Sequence, residues 1–201
     1  MKARLEVEPW RYFVIEDFLG PPEWNRVREI MSGPEFVDAP KGGRRSIFIY
    51  KEPKEGEHIV QPELLRILEK RFQWFIDELG NPQLLREFDH TGPVDVGYKI
   101  IVEYNVCGEG FEYPIHTDAP EKLYSLVYYI SPEEGDGTRI YKPNGTEPEA
   151  VVEWKPNSAL AFSRTPDTLH SYGSSVQNRR TLNIILTTND EADLRRIRYQ
   201  P

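Results

Sequence analysis

Beyond residue 94 the chain is cut into short apolar or alternating runs, each closed by Gly, Pro, Asn or Asp. These runs are 96–104, 112–117, 122–130, 138–142, 150–152, 159–163 and 181–188. No helical pattern lies between them, which argues against a parallel sheet with crossover helices. Short strands at regular spacing with turn residues between them predict a sandwich, barrel or jelly roll. The first 90 residues are mixed. Segments 11–19 (RYFVIEDFL) and 44–50 (RRSIFIY) are β-branched and aromatic and predict strands. Pro21 and Pro22 open a helix that runs to Met31, with Gly33 as its stop. In 61–79, Leu64, Leu68, Phe72, Phe75 and Leu79 recur at steps of three and four, which predicts an amphipathic helix ended by Gly80. A short second helix is expected from Asn81-Pro82 to about Phe88. The expected architecture is α+β and mainly β, as one domain over 1–201. Residues 1–90 give a helix-and-strand support, and 94–188 the β-core packed beneath its helices.

Charge narrows the function classes. The 201 residues carry 25 Lys plus Arg against 33 Asp plus Glu, a net charge of −8, so no nucleic-acid partner is expected. The one cysteine, Cys107, fits a reducing, cytoplasmic setting. No apolar stretch follows Met1 and none reaches membrane-spanning length, so neither export nor a membrane partner is expected.

Four histidines limit where metal chemistry can sit. His58 lies in a Lys/Glu/Gly-rich loop and His90 follows a helix end; neither has a ligand-type neighbour at useful spacing. His116 does, in His116-x-Asp118. On a strand, residues two apart share a face, so an imidazole and a carboxylate would converge there. A surface His–Asp hydrogen bond looks the same in sequence. His170, on a short strand after an apolar strand and a turn, supplies a second imidazole. Two His and one carboxylate form a facial triad that leaves metal positions open and suits non-haem Fe(II) better than Zn(II). Arg179 and Arg180 follow nine to ten residues after His170, opening the strand TLNIILTT. A guanidinium facing inward can bind a carboxylate bidentately, which Lys cannot. If Leu182, Ile184 and Leu186 face the helices, then Arg179, Thr181 and Asn183 face the pocket.

In order, Tyr104, Gly108-Glu109-Gly110, Tyr113, His116-x-Asp118, Tyr128-Tyr129-Ile130-Ser131, Gly135-Asp136-Gly137-Thr138, Phe162-Ser163, His170 and the Arg after it resemble the double-stranded β-helix (jelly-roll) core of the Fe(II)/2-oxoglutarate-dependent dioxygenases. The nearest likeness is to the prolyl-hydroxylase-like branch, whose opening 13–19 (FVIEDFL) also resembles. The resemblance implies that His116, Asp118 and His170 ligate Fe(II), and that Tyr104 and Tyr129 help hold 2-oxoglutarate. It places a basic residue, Arg179 or Arg180, on the distal carboxylate of 2-oxoglutarate, and strand parity prefers Arg179. The implied reaction consumes O2 and 2-oxoglutarate, releases succinate and CO2, and hydroxylates a C–H bond, with ascorbate as a supporting reductant. Related halogenases have a small residue at the place of Asp118, so its presence points to hydroxylation or another oxidation.

The substrate is left open between a peptidyl prolyl group, a free amino acid and a small metabolite, and the oligomeric state is not readable. The Arg44-Arg45 stretch is either a loop at the pocket mouth or a solvated charge cluster. Trp154 and the other tryptophans are expected in core or interface. Three rival assignments share the β-fold: a cupin-like jelly-roll metalloprotein without 2-oxoglutarate, a binding module whose histidines are structural, and a dioxygenase-fold sensor that keeps the metal ligands.

Overall fold

The computed structural model describes residues 1–79 and 98–188. In chain order its elements are β1 (Lys2–Glu6), β2 (Tyr12–Glu16), α1 (Pro21–Ile30), β3 (Arg44–Tyr50), β4 (His58–Val60), α2 (Pro62–Leu79), β5 (Tyr98–Cys107) and β6 (Phe111–His116). They continue with β7 (Lys122–Ser131), β8 (Thr138–Ile140), β9 (Ala150–Val152), β10 (Ala159–Ser163), β11 (His170–Ser174) and β12 (Arg179–Thr188). The helix expected from Asn81, and His90, lie outside the described residues. No helix among the described residues is long and apolar enough to cross a membrane.

The strands form two sheets. The larger has the order β1-β2-β10-β7-β12-β5-β3-β4, and the smaller β6-β11-β8-β9. Every pairing is antiparallel except β3 with β4. The N-terminal residues therefore do more than support the core: β1 to β4 extend both ends of the larger sheet. β1 and β4 are the two elements the sequence did not announce. β1 is charged and largely exposed, an edge strand with no apolar alternation to read. β4 is three residues long and adds in parallel beside β3.

Period-two alternation assigns each face of the larger sheet. Leu182, Ile184 and Leu186 of β12, Val102, Tyr104 and Val106 of β5, and Tyr124, Leu126 and Tyr128 of β7 share one buried apolar cluster with both helices. α2 contributes Leu64, Leu68, Phe72 and Phe75, the stripe seen in the sequence. Full burial of a side chain of this size is worth about 1.5–3 kcal/mol. The opposite face meets the smaller sheet through a second cluster of Trp10, Tyr12, Tyr129, Ile140, Val152, Leu160 and Phe162. That inner cluster fills only part of the space between the sheets. Beside it lies a polar cavity of about 360 Å³.

Candidate metal centre and anion pocket

His116 and His170 are direct cross-strand partners on β6 and β11. Their rings lie 4.3 Å apart, centroid to centroid. The register slips just beyond them: His170 faces His116 and Tyr172 faces Tyr113, so Pro114 and Ile115 together oppose Ser171. This is a β-bulge, and it brings Tyr113 and His116, three residues apart, to the same cavity. Pro114 is tolerated because β6 is a sheet edge.

Asp118 reaches the site differently from the strand parity expected for it. β6 ends at His116, and Asp118 sits in the following connection. Three side chains hold it there. Ser125 of β7 donates to Oδ2 at 2.6 Å, Lys122 Nζ lies 2.8 Å from Oδ1, and Arg164 Nε donates to its backbone carbonyl at 3.1 Å. One ligand atom from each of His116, Asp118 and His170 lies within 4.8 Å of the others.

The protonation of this trio suits a divalent cation. Nδ1 of His116 bonds the Pro114 carbonyl at 2.9 Å, and Nδ1 of His170 bonds the Thr168 carbonyl at 3.0 Å. A carbonyl only accepts, so Nδ1 carries the proton and Nε2 keeps a lone pair for a metal. Burial lowers the pKa of both imidazoles, that of His170 to about 4, and keeps them neutral. Burial alone would raise the Asp118 carboxyl, but Lys122, His170 and the Lys122 and Ser125 hydrogen bonds outweigh it and hold it below its ordinary value. Two neutral imidazoles and one carboxylate, each anchored from behind, are a donor set that fits Fe(II).

β12 supplies the second half of the site. Arg179, Thr181, Asn183 and Ile185 all line the cavity. Arg180 faces the other way, donating to the Tyr104 hydroxyl at 3.1 Å and pairing with Asp38 at 2.5 Å. Arg179 is only 2% exposed. Its guanidinium lies over Trp154 (4.7 Å), Tyr172 (5.3 Å) and Tyr129 (5.7 Å). Its Nε donates to the Asp136 carbonyl at 2.8 Å, while its buried Nη2 has no hydrogen-bond partner among the described residues. Burial lowers its pKa. The turn that presents Asp136 depends on two glycines. A Cβ at Gly135 would press on the Trp154 ring, and one at Gly137 would strike the Val152 carbonyl.

Of the two tyrosines expected around 2-oxoglutarate, Tyr129 is buried behind Arg179 and bonds Thr138 Oγ1 at 2.7 Å. Tyr104 is a correction. It sits on the helix-facing side of β5, against Phe36, because Glu103 and Asn105 take the cavity-facing positions. Arg44 lines the cavity and is no solvated loop residue. Its guanidinium lies 5.1 Å from the centre of the Tyr113 ring, which stacks on Tyr172. Glu103, Lys122, Ser125, Trp154 and Tyr172 were not singled out as site residues by sequence. Strand parity on β5 and β7 could have found Glu103 and Ser125, but Trp154 and Tyr172 are brought to Arg179 only by the packing of the two sheets.

No family model matches the chain, and no curated protein matches it in sequence. Solved structures do. A prolyl hydroxylase from Trichoplax adhaerens, in complex with a hypoxia inducible factor oxygen degradation domain peptide fragment, aligns with a TM-score of 0.61 at 15% identity, over 94% of this chain and 87% of that one. An oxidoreductase of the 2OG-Fe(II) oxygenase family from Burkholderia pseudomallei gives 0.58 at 16%, over 88% and 84%. A Pseudomonas putida prolyl-4-hydroxylase gives 0.55 at 14%, over 89% and 93%. The chain has the jelly-roll fold shared by these 2OG-Fe(II) oxygenases, prolyl hydroxylases among them.

Proposed function

We propose that this protein is a non-haem Fe(II)- and 2-oxoglutarate-dependent dioxygenase. Its reaction would hydroxylate a C–H bond of a prolyl-like, amino-acid-like or other small substrate. The carrying observation is one cavity that holds both the His116–Asp118–His170 trio and a buried guanidinium with an unpaired donor. A jelly-roll metalloprotein that binds no acid cosubstrate has no use for that donor. When bound, Fe(II) with 2-oxoglutarate and O2 supplies an oxidative decarboxylation: one oxygen atom goes to succinate, the other to substrate, and CO2 leaves.

The chain's own residues provide orientation and exclusion. The Pro114 and Thr168 carbonyls fix each imidazole tautomer and turn. Ser125 and Lys122 hold the Asp118 carboxylate, and Lys122 balances its charge. Arg179 Nη2 would donate to the distal carboxylate of 2-oxoglutarate, with Thr181 beside it on the same strand face. Trp154, Tyr129 and Tyr172 keep water from the guanidinium, which strengthens that charge-assisted bond.

The test is a substrate-free decarboxylation assay with Fe(II), ascorbate and 2-oxoglutarate labelled at C1, beside a Mn(II) titration. Release of label that disappears in His116→Ala, Asp118→Ala and His170→Ala is expected. Mn(II) binding without any consumption of 2-oxoglutarate would overturn the assignment in favour of a metalloprotein of another kind.

A further inference from the structure

Two buried polar atoms lining the cavity have no hydrogen-bond partner among the described residues: a donor, Arg179 Nη2, and an acceptor, Asn183 Oδ1. Both belong to β12 and are four residues apart, about 13 Å along an extended strand. The cavity therefore has a donor end and an acceptor end. A diacid held by Arg179 at one end would leave the other end for a different molecule.

The acceptor end is built on Glu103, the register partner of Asn183 on β5. The Glu103 side chain is 14% exposed. Its Oε2 accepts from Asn105 Nδ2 at 3.1 Å and from Asn183 Nδ2 at 3.4 Å. Among the described residues the nearest cation to Oε1 is Arg44 Nη2, an ion-pair partner at 3.7 Å, beyond hydrogen-bond length. Arg44 is already committed: Nε and Nη2 donate to Asn105 Oδ1 at 2.9 and 2.6 Å, and Nη2 also to Ser46 Oγ at 2.6 Å. A network built only to steady the strands would leave no buried acceptor open. Here the Asn183 amide spends its N–H on Glu103 and keeps its oxygen free beside a carboxylate.

We propose that Glu103 Oε1 and Asn183 Oδ1 form a subsite for a protonated amine of the oxidised substrate. This rests on the oxygenase reading above, since it assigns the substrate to the space that 2-oxoglutarate leaves. An ammonium brings several donors and a positive charge, matching an acceptor pair of which one is ionised. A substrate carboxylate finds no hydrogen-bond donor on that pair. A peptide-bonded proline nitrogen has no hydrogen to give, so the subsite selects a free amine over a prolyl residue within a chain.

The test uses n-butylammonium, n-butanol and n-butyrate as probes, titrated by NMR into the full chain loaded with Mg(II) and 2-oxoglutarate. Wild type should bind the ammonium at least about tenfold more tightly than the alcohol or the butyrate, the gain expected of a charge-assisted hydrogen bond. Glu103→Gln keeps the shape and an oxygen for the Asn183 and Asn105 amides, and should cut that preference to about threefold or less. Asn183→Leu removes the open oxygen and should also cut that preference. Equal binding of the three probes, or a preference unchanged in Glu103→Gln with an unchanged Tm, would overturn the subsite. Loss of 2-oxoglutarate binding in wild type would instead sink the oxygenase reading, and the ammonium preference is read independently of it.

Discussion

Replacing Arg179 with Met should raise stability and weaken cosubstrate binding at once. The guanidinium is buried and forms no ion pair among the described residues; one carbonyl and three aromatic rings are its visible compensation. Burying an unpaired charge costs several kcal/mol. The Asp136 bond returns about 1 kcal/mol and the ring contacts about 2 kcal/mol. The balance is unfavourable by about 1–3 kcal/mol, so Met, of similar reach and no charge, should raise the Tm of the metal-free protein by about 5 °C. The same change removes a charge-assisted hydrogen bond worth about 1.5–3 kcal/mol, which raises the Kd for 2-oxoglutarate about 10- to 100-fold. Arg180→Met should do the reverse. It loses the Asp38 pair and the Tyr104 bond, and leaves 2-oxoglutarate binding within about twofold, because that side chain faces away from the cavity. Thermal unfolding and calorimetric titration of 2-oxoglutarate measure both quantities on the same samples. An Arg179→Met protein that is less stable but binds 2-oxoglutarate normally would show the residue to be a cation–π fixture of the core, and would refute the reasoning.

Further outcomes follow from the same geometry. His170 titrates near 4 when folded, against about 6.5 unfolded, so the unfolded chain binds more protons between those values. Stability of the metal-free protein should therefore fall as pH drops through that window, by about 2 kcal/mol between pH 7 and pH 5. Urea unfolding of His170→Asn should lack this part of the loss; an identical loss would contradict it. Gly137→Ala places a methyl against the Val152 carbonyl and disturbs the turn that presents Asp136 to Arg179. It should cost about 1–3 kcal/mol and raise the 2-oxoglutarate requirement, whereas stability loss alone would separate the turn from the pocket. Leu68→Ala, in the fully buried α2 stripe, should destabilise by about 2–4 kcal/mol with unchanged metal affinity per folded molecule, as judged by urea unfolding and Mn(II) titration.

The β-core was legible because its strands are short apolar or alternating runs bounded by turn residues, which mark them directly. Segments 44–50, 150–152 and 159–163 coincide with β3, β9 and β10. β1 is charged and largely exposed and carries no such pattern, which is why it was silent. The trio was legible as residue types, yet the force that gathers it was not. Asp118 is placed by Lys122, Ser125 and Arg164, and His116 by a bulge at Pro114, none of which spacing alone discloses. The parity that turns Arg179 inward also turns Tyr104 outward, since Val102, Tyr104 and Val106 alternate on β5 as Leu182, Ile184 and Leu186 do on β12.

The cross-strand histidine pair belongs wholly to the smaller sheet, whereas Ser125 and Lys122 tether Asp118 to β7 of the larger one. Any cation gripped by all three side chains would act as a rivet between the two layers at the open lip of the sandwich. Depletion by a chelator should then loosen β6 first, a free-edged strand fastened on one flank alone, so that proteases nick the loaded and stripped forms at different rates.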